Sequence, residues 1–258
     1  MIQFTSADLN ALIVGFMWPL TRILGLIAAA PMFGNVSVPR RIKVALGILL
    51  AMIVAPGVQM PNGLEPLSLE GFLILTQQFI IGIAMGFTMR LIFSAVELGG
   101  EIASLTMGLG FATFFNPQSQ GRSAAVSQLL SLVTLMAFLA ADVHLALLAT
   151  LVDSFKTMPI VAGPLTSNLS EQVLHWATRV FSAGLQLSLP IVAALLITNM
   201  ALAILTRAAP QLNLFGIGFP ITLAVGFAML ALTMPYLAMP LTNLFAETMV
   251  TVRQLIGG

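Results

Sequence analysis

Six long apolar stretches leave this chain little choice but to be helical and held in a membrane. They run Leu9–Phe33, Ile42–Val58, Phe72–Phe93, Val126–Val152, Val173–Leu205 and Leu212–Phe245. About 20 apolar residues coiled as an α-helix match the hydrocarbon thickness of a bilayer. Inside lipid the backbone must satisfy its own hydrogen bonds, which a helix does. Charged residues make up 7% of the 258 residues, whereas a soluble domain carries about 25%. Alternating strands of the outer-membrane barrel type are absent. The expectation is an all-α, polytopic helical membrane protein. Prolines interrupt the apolar stretches at Pro19, Pro190, Pro220, Pro235 and Pro240. Each removes a backbone donor, so bent or broken helices and helical hairpins are expected, with a simple kink in a spanning helix as the plainer reading at any one proline.

Composition excludes several classes of function. The net charge is +1 and no basic tract is present, which gives no purchase on nucleic acid. Cysteine is absent, so no disulfide or thiolate metal site forms, and two histidines supply no metal-ligand spacing. No phosphate-binding loop, dinucleotide fingerprint or Ser/His/acid arrangement occurs. An enzyme is not expected, and neither is a cofactor. The segment Met1–Asp8 has no basic region and the first positive charge is Arg22, so the first apolar stretch is expected to stay in the mature protein. Arg40, Arg41 and Lys43 put three positive charges in the first connection, which predicts a cytoplasmic location for it.

The region from Arg90 to Arg122 is the least ordinary. Arg90, Glu97 and Glu101 are spaced by seven and then four, which places them on one face of a continuous helix. Charges at membrane depth are costly unless they pair or face a polar cavity. They read either as a stripe facing a lumen or a neighbouring subunit, or as solvated groups beyond the membrane. Gly99-Gly100 would spoil the stripe if it broke the helix. Next come Met107, Gly108, Gly110, Phe111, Phe114 and Phe115, closed by Asn116-Pro117 as a turn. Glycine bends the backbone tightly, while Met and Phe supply adaptable apolar bulk. A loop of this kind closes an aqueous hole by dewetting, or it is a re-entrant loop that only packs. Gly82 and Gly86 form a GxxxG spacing that permits close helix contact, and Ala95 to Gly99 repeats it. Asp142 and His144 lie within the fourth stretch but do not share a helix face. Texture changes near residue 160, where a Pro- and Gly-containing loop precedes two long apolar stretches joined by Arg207–Asn213, a helical hairpin appended to a four-segment body.

The run Glu97-Leu98-Gly99-Gly100-Glu101-Ile102-Ala103-Ser104-Leu105-Thr106-Met107-Gly108-Leu109-Gly110-Phe111-Ala112-Thr113-Phe114-Phe115-Asn116-Pro117-Gln118-Ser119 resembles the central stretch of the FliR family of flagellar type III export-gate proteins. Ala29–Gly34 and Val38–Leu46 also resemble that family, and the order of apolar stretches agrees over essentially the whole chain. The resemblance implies a helical export-gate complex with FliP and FliQ subunits, in the bacterial inner membrane at the flagellar basal body. Unfolded flagellar proteins would cross through it. It implies a FliP-like body over 1–160, a FliQ-like hairpin over 161–258 and a plug loop over Thr106 to Arg122. FlhB and FlhA would be further partners, with no enzyme activity and no cofactor. Two other readings stay open: a secondary transporter of a small solute built on Arg22, Asp142 and His144, and a scaffold that conducts nothing.

Overall fold

A computed structural model describes residues 6–58, 68–110, 125–161, 169–209 and 214–257. Eight α-helices lie among the described residues: α1 (Ser6–Ala29), α2 (Arg40–Val54), α3 (Leu69–Thr106), α4 (Ala125–Ala140), α5 (Val143–Thr157), α6 (Leu169–Ala208), α7 (Leu214–Thr233) and α8 (Ala238–Leu255). No strand occurs among the described residues. Among the described residues, helices α3, α6 and α7 contain segments long and apolar enough to cross a membrane, and α4 with α5 forms a bent pair that is long and apolar enough only when the two are taken together. The chain is thus a polytopic helical membrane protein, as its apolar stretches predict. At 1.5 Å per residue, α3 with its 38 residues extends about 57 Å, nearly twice the hydrocarbon core.

Two apolar stretches divide where the backbone is forced to turn. Val126–Val152 is not one helix: α4 ends at Ala140, and Asp142 takes a left-handed conformation (φ 53°, ψ 23°) before α5 begins. Aspartate tolerates that region better than most residues. Leu212–Phe245 divides at a short 3₁₀ turn, Met234–Tyr236, with Pro235 inside it. Pro19, Pro190 and Pro220 lie inside α1, α6 and α7, where the helices continue through them. The positive cluster Arg40, Arg41 and Lys43 is not in the connection itself but in the first turn of α2, because the helix starts directly after Pro39. Arg40 and Arg41 are exposed, and the Lys43 ammonium donates to the Gly34 carbonyl at 3.0 Å.

The helices form two compact units. The first comprises Met1–Leu91, Asp142–Trp176 and Phe245–Gly258, and the second Ile92–Ala141 and Ala177–Leu244. In the first, α1 crosses α3 with almost no side chain between them. A Cβ on Gly25 would meet the Phe79 carbonyl oxygen at 2.6 Å, and one on Gly86 the Leu26 carbonyl oxygen at 2.7 Å. One on Gly82 would run into the Arg22 carbonyl oxygen. The GxxxG spacing of α3 is thus a backbone-to-backbone crossing. In the second unit, α3, α4 and α6 meet through glycines. A Cβ on Gly100 would lie 2.6 Å from Ser127 Cα on α4, and one on Gly184 of α6 2.7 Å from the Ala95 carbonyl oxygen. Gly99-Gly100 therefore does not break α3. Close packing on both sides offsets the entropy that glycine loses in a helix. Phe93 and Phe138 add an edge-to-face pair with centroids 5.8 Å apart.

Candidate functional site

The root of the Gly/Phe loop is built at the end of α3. Met107 donates its amide to Ala103 O at 2.9 Å, Gly108 to Leu105 O at 3.1 Å and Leu109 to Ser104 O at 3.1 Å. Gly108 has φ 86°. The last two bonds with a left-handed glycine make a Schellman cap, which satisfies the helix's orphan carbonyls and turns the chain away. Met107 is fully buried. Its side chain fills the place a Cβ would take on Gly226 of α7, where the Cγ, Cε and Sδ atoms would be met at 2.5, 2.8 and 2.9 Å. Thr222, one turn earlier on α7, lies with Oγ1 3.3 Å from the Met107 carbonyl oxygen and 3.0 Å from that of Phe219. Gly108 and Gly110 are half-buried. Phe111, Phe114, Phe115, Asn116 and Pro117 lie outside the described residues. Sequence reasoning missed Thr222 and Gly226; the signal was a glycine in an apolar helix, one of 21 in the chain.

Glu97 and Glu101 point along one face of α3 toward two serines of α4. Ser131 Oγ donates to Glu97 Oε1 at 3.3 Å, and Ser127 Oγ lies 3.2 Å from Glu101 Oε2 and 3.1 Å from the Glu97 carbonyl oxygen. Each pair repeats at four-residue spacing on antiparallel partners, so the hydroxyls form a short ladder. Glu97 is exposed and Glu101 half-buried. Arg90, on the same unbroken helix, is exposed.

Arg22 is the most deeply buried cation among the described residues, fully covered in the first unit. Its Nε donates to Gln78 Oε1 of α3 at 2.7 Å. Nη1 donates to Ser154 O at 2.7 Å and Ser154 Oγ at 3.0 Å, and Nη2 to Met158 O at 2.8 Å. The guanidinium carbon lies 4.3 Å from the centre of the Phe155 ring. These partners are neutral, so the charge is held by the carbonyl end of α5, where the helix dipole is negative, and by an aromatic face. Asp142 is exposed at the start of α5 and is not among these partners. The structure thus gives Arg22 to a structural joint of α1, α3 and α5 rather than bringing it to Asp142. No group of three or more candidate metal ligands occurs among the described residues.

The family model described as bacterial export proteins, family 1, matches residues 13–248. The chain belongs to that family. A flagellar biosynthetic protein FliR of Escherichia coli strain K12 is 40% identical over 247 residues, covering 96% of this chain and 94% of the relative. One of Pectobacterium carotovorum subsp. carotovorum is 40% identical over 248 residues with the same shares. The FliR of Bacillus subtilis strain 168 is 28% identical over 247 residues, covering 94% of each. Membership makes this export protein a component of an export apparatus working with other apparatus proteins, and not an enzyme. The root of the Gly/Phe loop and the Glu97–Glu101 ladder both belong to the second unit.

Proposed function

We propose that this chain is a subunit of the flagellar type III protein-export gate, lying in the bacterial inner membrane at the flagellar basal body. In this reading it joins FliP and FliQ subunits to build the channel through which unfolded flagellar proteins cross, with FlhB and FlhA as neighbours. Residues 1–160 take the FliP-like part and 161–258 the FliQ-like hairpin. The Gly/Phe loop beginning at Met107 closes the passage, and Arg90, Glu97 and Glu101 face the lumen or a partner subunit. Arg40, Arg41 and Lys43 face the cytoplasm. The observation that carries it is family membership over 13–248 together with relatives named for flagellar biosynthesis at near-full coverage. The Schellman cap supports a closing loop, since it ends α3 and delivers the chain to the loop at a fixed point. Apolar side chains block a narrow hole by excluding water, without a tight lock, and yield to cargo of varied sequence.

Purification in mild detergent is the first test. FliP- and FliQ-like subunits are expected to copurify in fixed ratio; recovery of the chain alone, with function intact, overturns the reading. Deleting Gly108–Phe115 in the assembled complex is expected to make the membrane leak small solutes. Unchanged conductance in a correctly assembled complex removes the closing role from the loop.

A further inference from the structure

We propose that α2 carries a binding face for an anionic phospholipid, with Arg40 and Arg41 at the headgroup and Ile42, Leu49, Met52 and Ile53 along an acyl chain. The site uses neither the Gly/Phe loop nor conduction, so it stands or falls apart from the gate reading. α2 has 15 residues and extends about 22 Å, too short to cross a hydrocarbon core of about 30 Å. One side of it packs on α1. Gly47 and Ala51 are buried there, and a Cβ on Gly47 would meet Leu24 Cδ2 of α1 at 2.6 Å. The other side is bare. Ile42, Leu49, Met52 and Ile53 are each more than half exposed, and their spacing places them on one helix face. From Ile42 to Ile53 this stripe extends about 17 Å, close to the hydrocarbon depth of one leaflet.

Charge enters at one end only. Arg40 and Arg41 head the stripe and are exposed, and neither has an ion-pair partner among the described residues. Their place is unfavourable in isolation, because cations at the N-terminal end of a helix oppose its dipole. No side chain caps α2 and no acid lies in its first turn. A phosphate there meets two guanidinium groups and the positive helix end together. Lys43 is not part of the site, since its ammonium donates to the Gly34 carbonyl at 3.0 Å. The make-up of the face says what covers it. After Lys43, α2 has no polar and no aromatic residue. A protein docked here would find none of the Trp or Tyr anchors that dominate protein interfaces, and would have to bring acids to one end alone. A phospholipid has that layout itself: one anion, then hydrocarbon one leaflet deep.

The test uses the full chain with the subunits that copurify with it, cysteine-free except for a fluorophore on Ile53→Cys, in phosphatidylcholine vesicles. A brominated phospholipid, which quenches on contact, is titrated in as phosphatidylglycerol or as phosphatidylcholine. Phosphatidylglycerol is expected to half-quench at a mole fraction about thirtyfold lower, the factor for two basic side chains at an anionic surface. Arg40→Gln and Arg41→Gln are each expected to narrow that preference about fivefold, and the double variant to bring the two lipids to parity. Equal quenching by both lipids with the arginines in place overturns the headgroup site, as does a preference that survives in the double variant. Quenching by neither lipid shows a protein surface on the stripe and overturns the proposal outright. If the double variant fails to assemble, salt decides. Sodium chloride at about 0.5 M is expected to cut the preference several-fold, and a preference that salt does not move overturns the site.

Discussion

At the scale of single residues, Arg22 shows how a charge lives inside this protein without a carboxylate. Four acceptor contacts and the Phe155 ring surround one guanidinium. The planar fork of arginine reaches Gln78, Ser154 and Met158 together, which a lysine ammonium on a single-point stem cannot do. Arg22→Met is expected to lower stability by roughly 2–4 kcal/mol, because the Gln78 and Ser154 oxygens lose their donor while buried. Arg22→Lys is expected to recover less than half of that loss. Thermal unfolding of the complex in mild detergent measures both, and full recovery by lysine would show that only the charge matters. From sequence, Arg22 stood out as a lone cation in an apolar stretch, but its partners lie 56 to 136 positions away and no local pattern points to them. Met107 was legible only in part. Its membership of the loop segment follows from sequence, while its burial depends on a glycine more than a hundred residues later.

At the scale of helices, the apolar stretches marked where helices form, and glycine spacing marked where they touch. Gly82 and Gly86 were readable as a contact face because small-xxx-small spacing repeats each helical turn. Gly25 and Ala29 of α1 carry the same spacing, but so do Ala95 and Gly99, and spacing alone does not say which helices pair. The division between α4 and α5 was hidden for a different reason. Apolar residues on both sides of Ala141-Asp142 are continuous in hydropathy, and only a backbone angle at Asp142 separates the helices. Glycine crossings carry a direct test. Gly184→Ala puts a methyl group against the Ala95 carbonyl oxygen at 2.7 Å, with Leu98 side-chain atoms at 3.1 and 3.2 Å. Overpacking of this kind is expected to cost about 1–3 kcal/mol. Unfolding midpoints of Gly184→Ala and of the unsubstituted chain in the same detergent check it, and an unchanged midpoint would show that the crossing of α3 and α6 has room for a methyl group.

At the scale of the whole molecule, apolar surface is distributed unevenly. The most apolar window of α3 is 61% buried, whereas those of α6 and α7 are 17% and 22% buried. On α6 the exposed residues Phe181, Leu185, Leu189, Ile197, Met200 and Ile204 repeat at helical spacing, so one stripe of that helix faces lipid or a neighbouring subunit. Glu97 on α3, by contrast, is exposed beside the polar Ser131, and a carboxylate left in hydrocarbon would be costly. The two surfaces should therefore meet different surroundings in the assembled export apparatus. The chain has no cysteine, so single replacements report without background. In membranes holding the assembled complex, Phe181→Cys and Ile204→Cys are expected to resist a membrane-impermeant maleimide. Glu97→Cys is expected to be labelled when its side has access to a lumen, and shielded when a partner subunit covers it; in both cases detergent extraction from the partners exposes it to reagent. Labelling of Phe181→Cys in the assembled complex would place the α6 stripe in water. Protection of Glu97→Cys that persists after the partners are stripped away would mean that neither lumen nor subunit faces it, and the charged stripe of α3 would lose its proposed role.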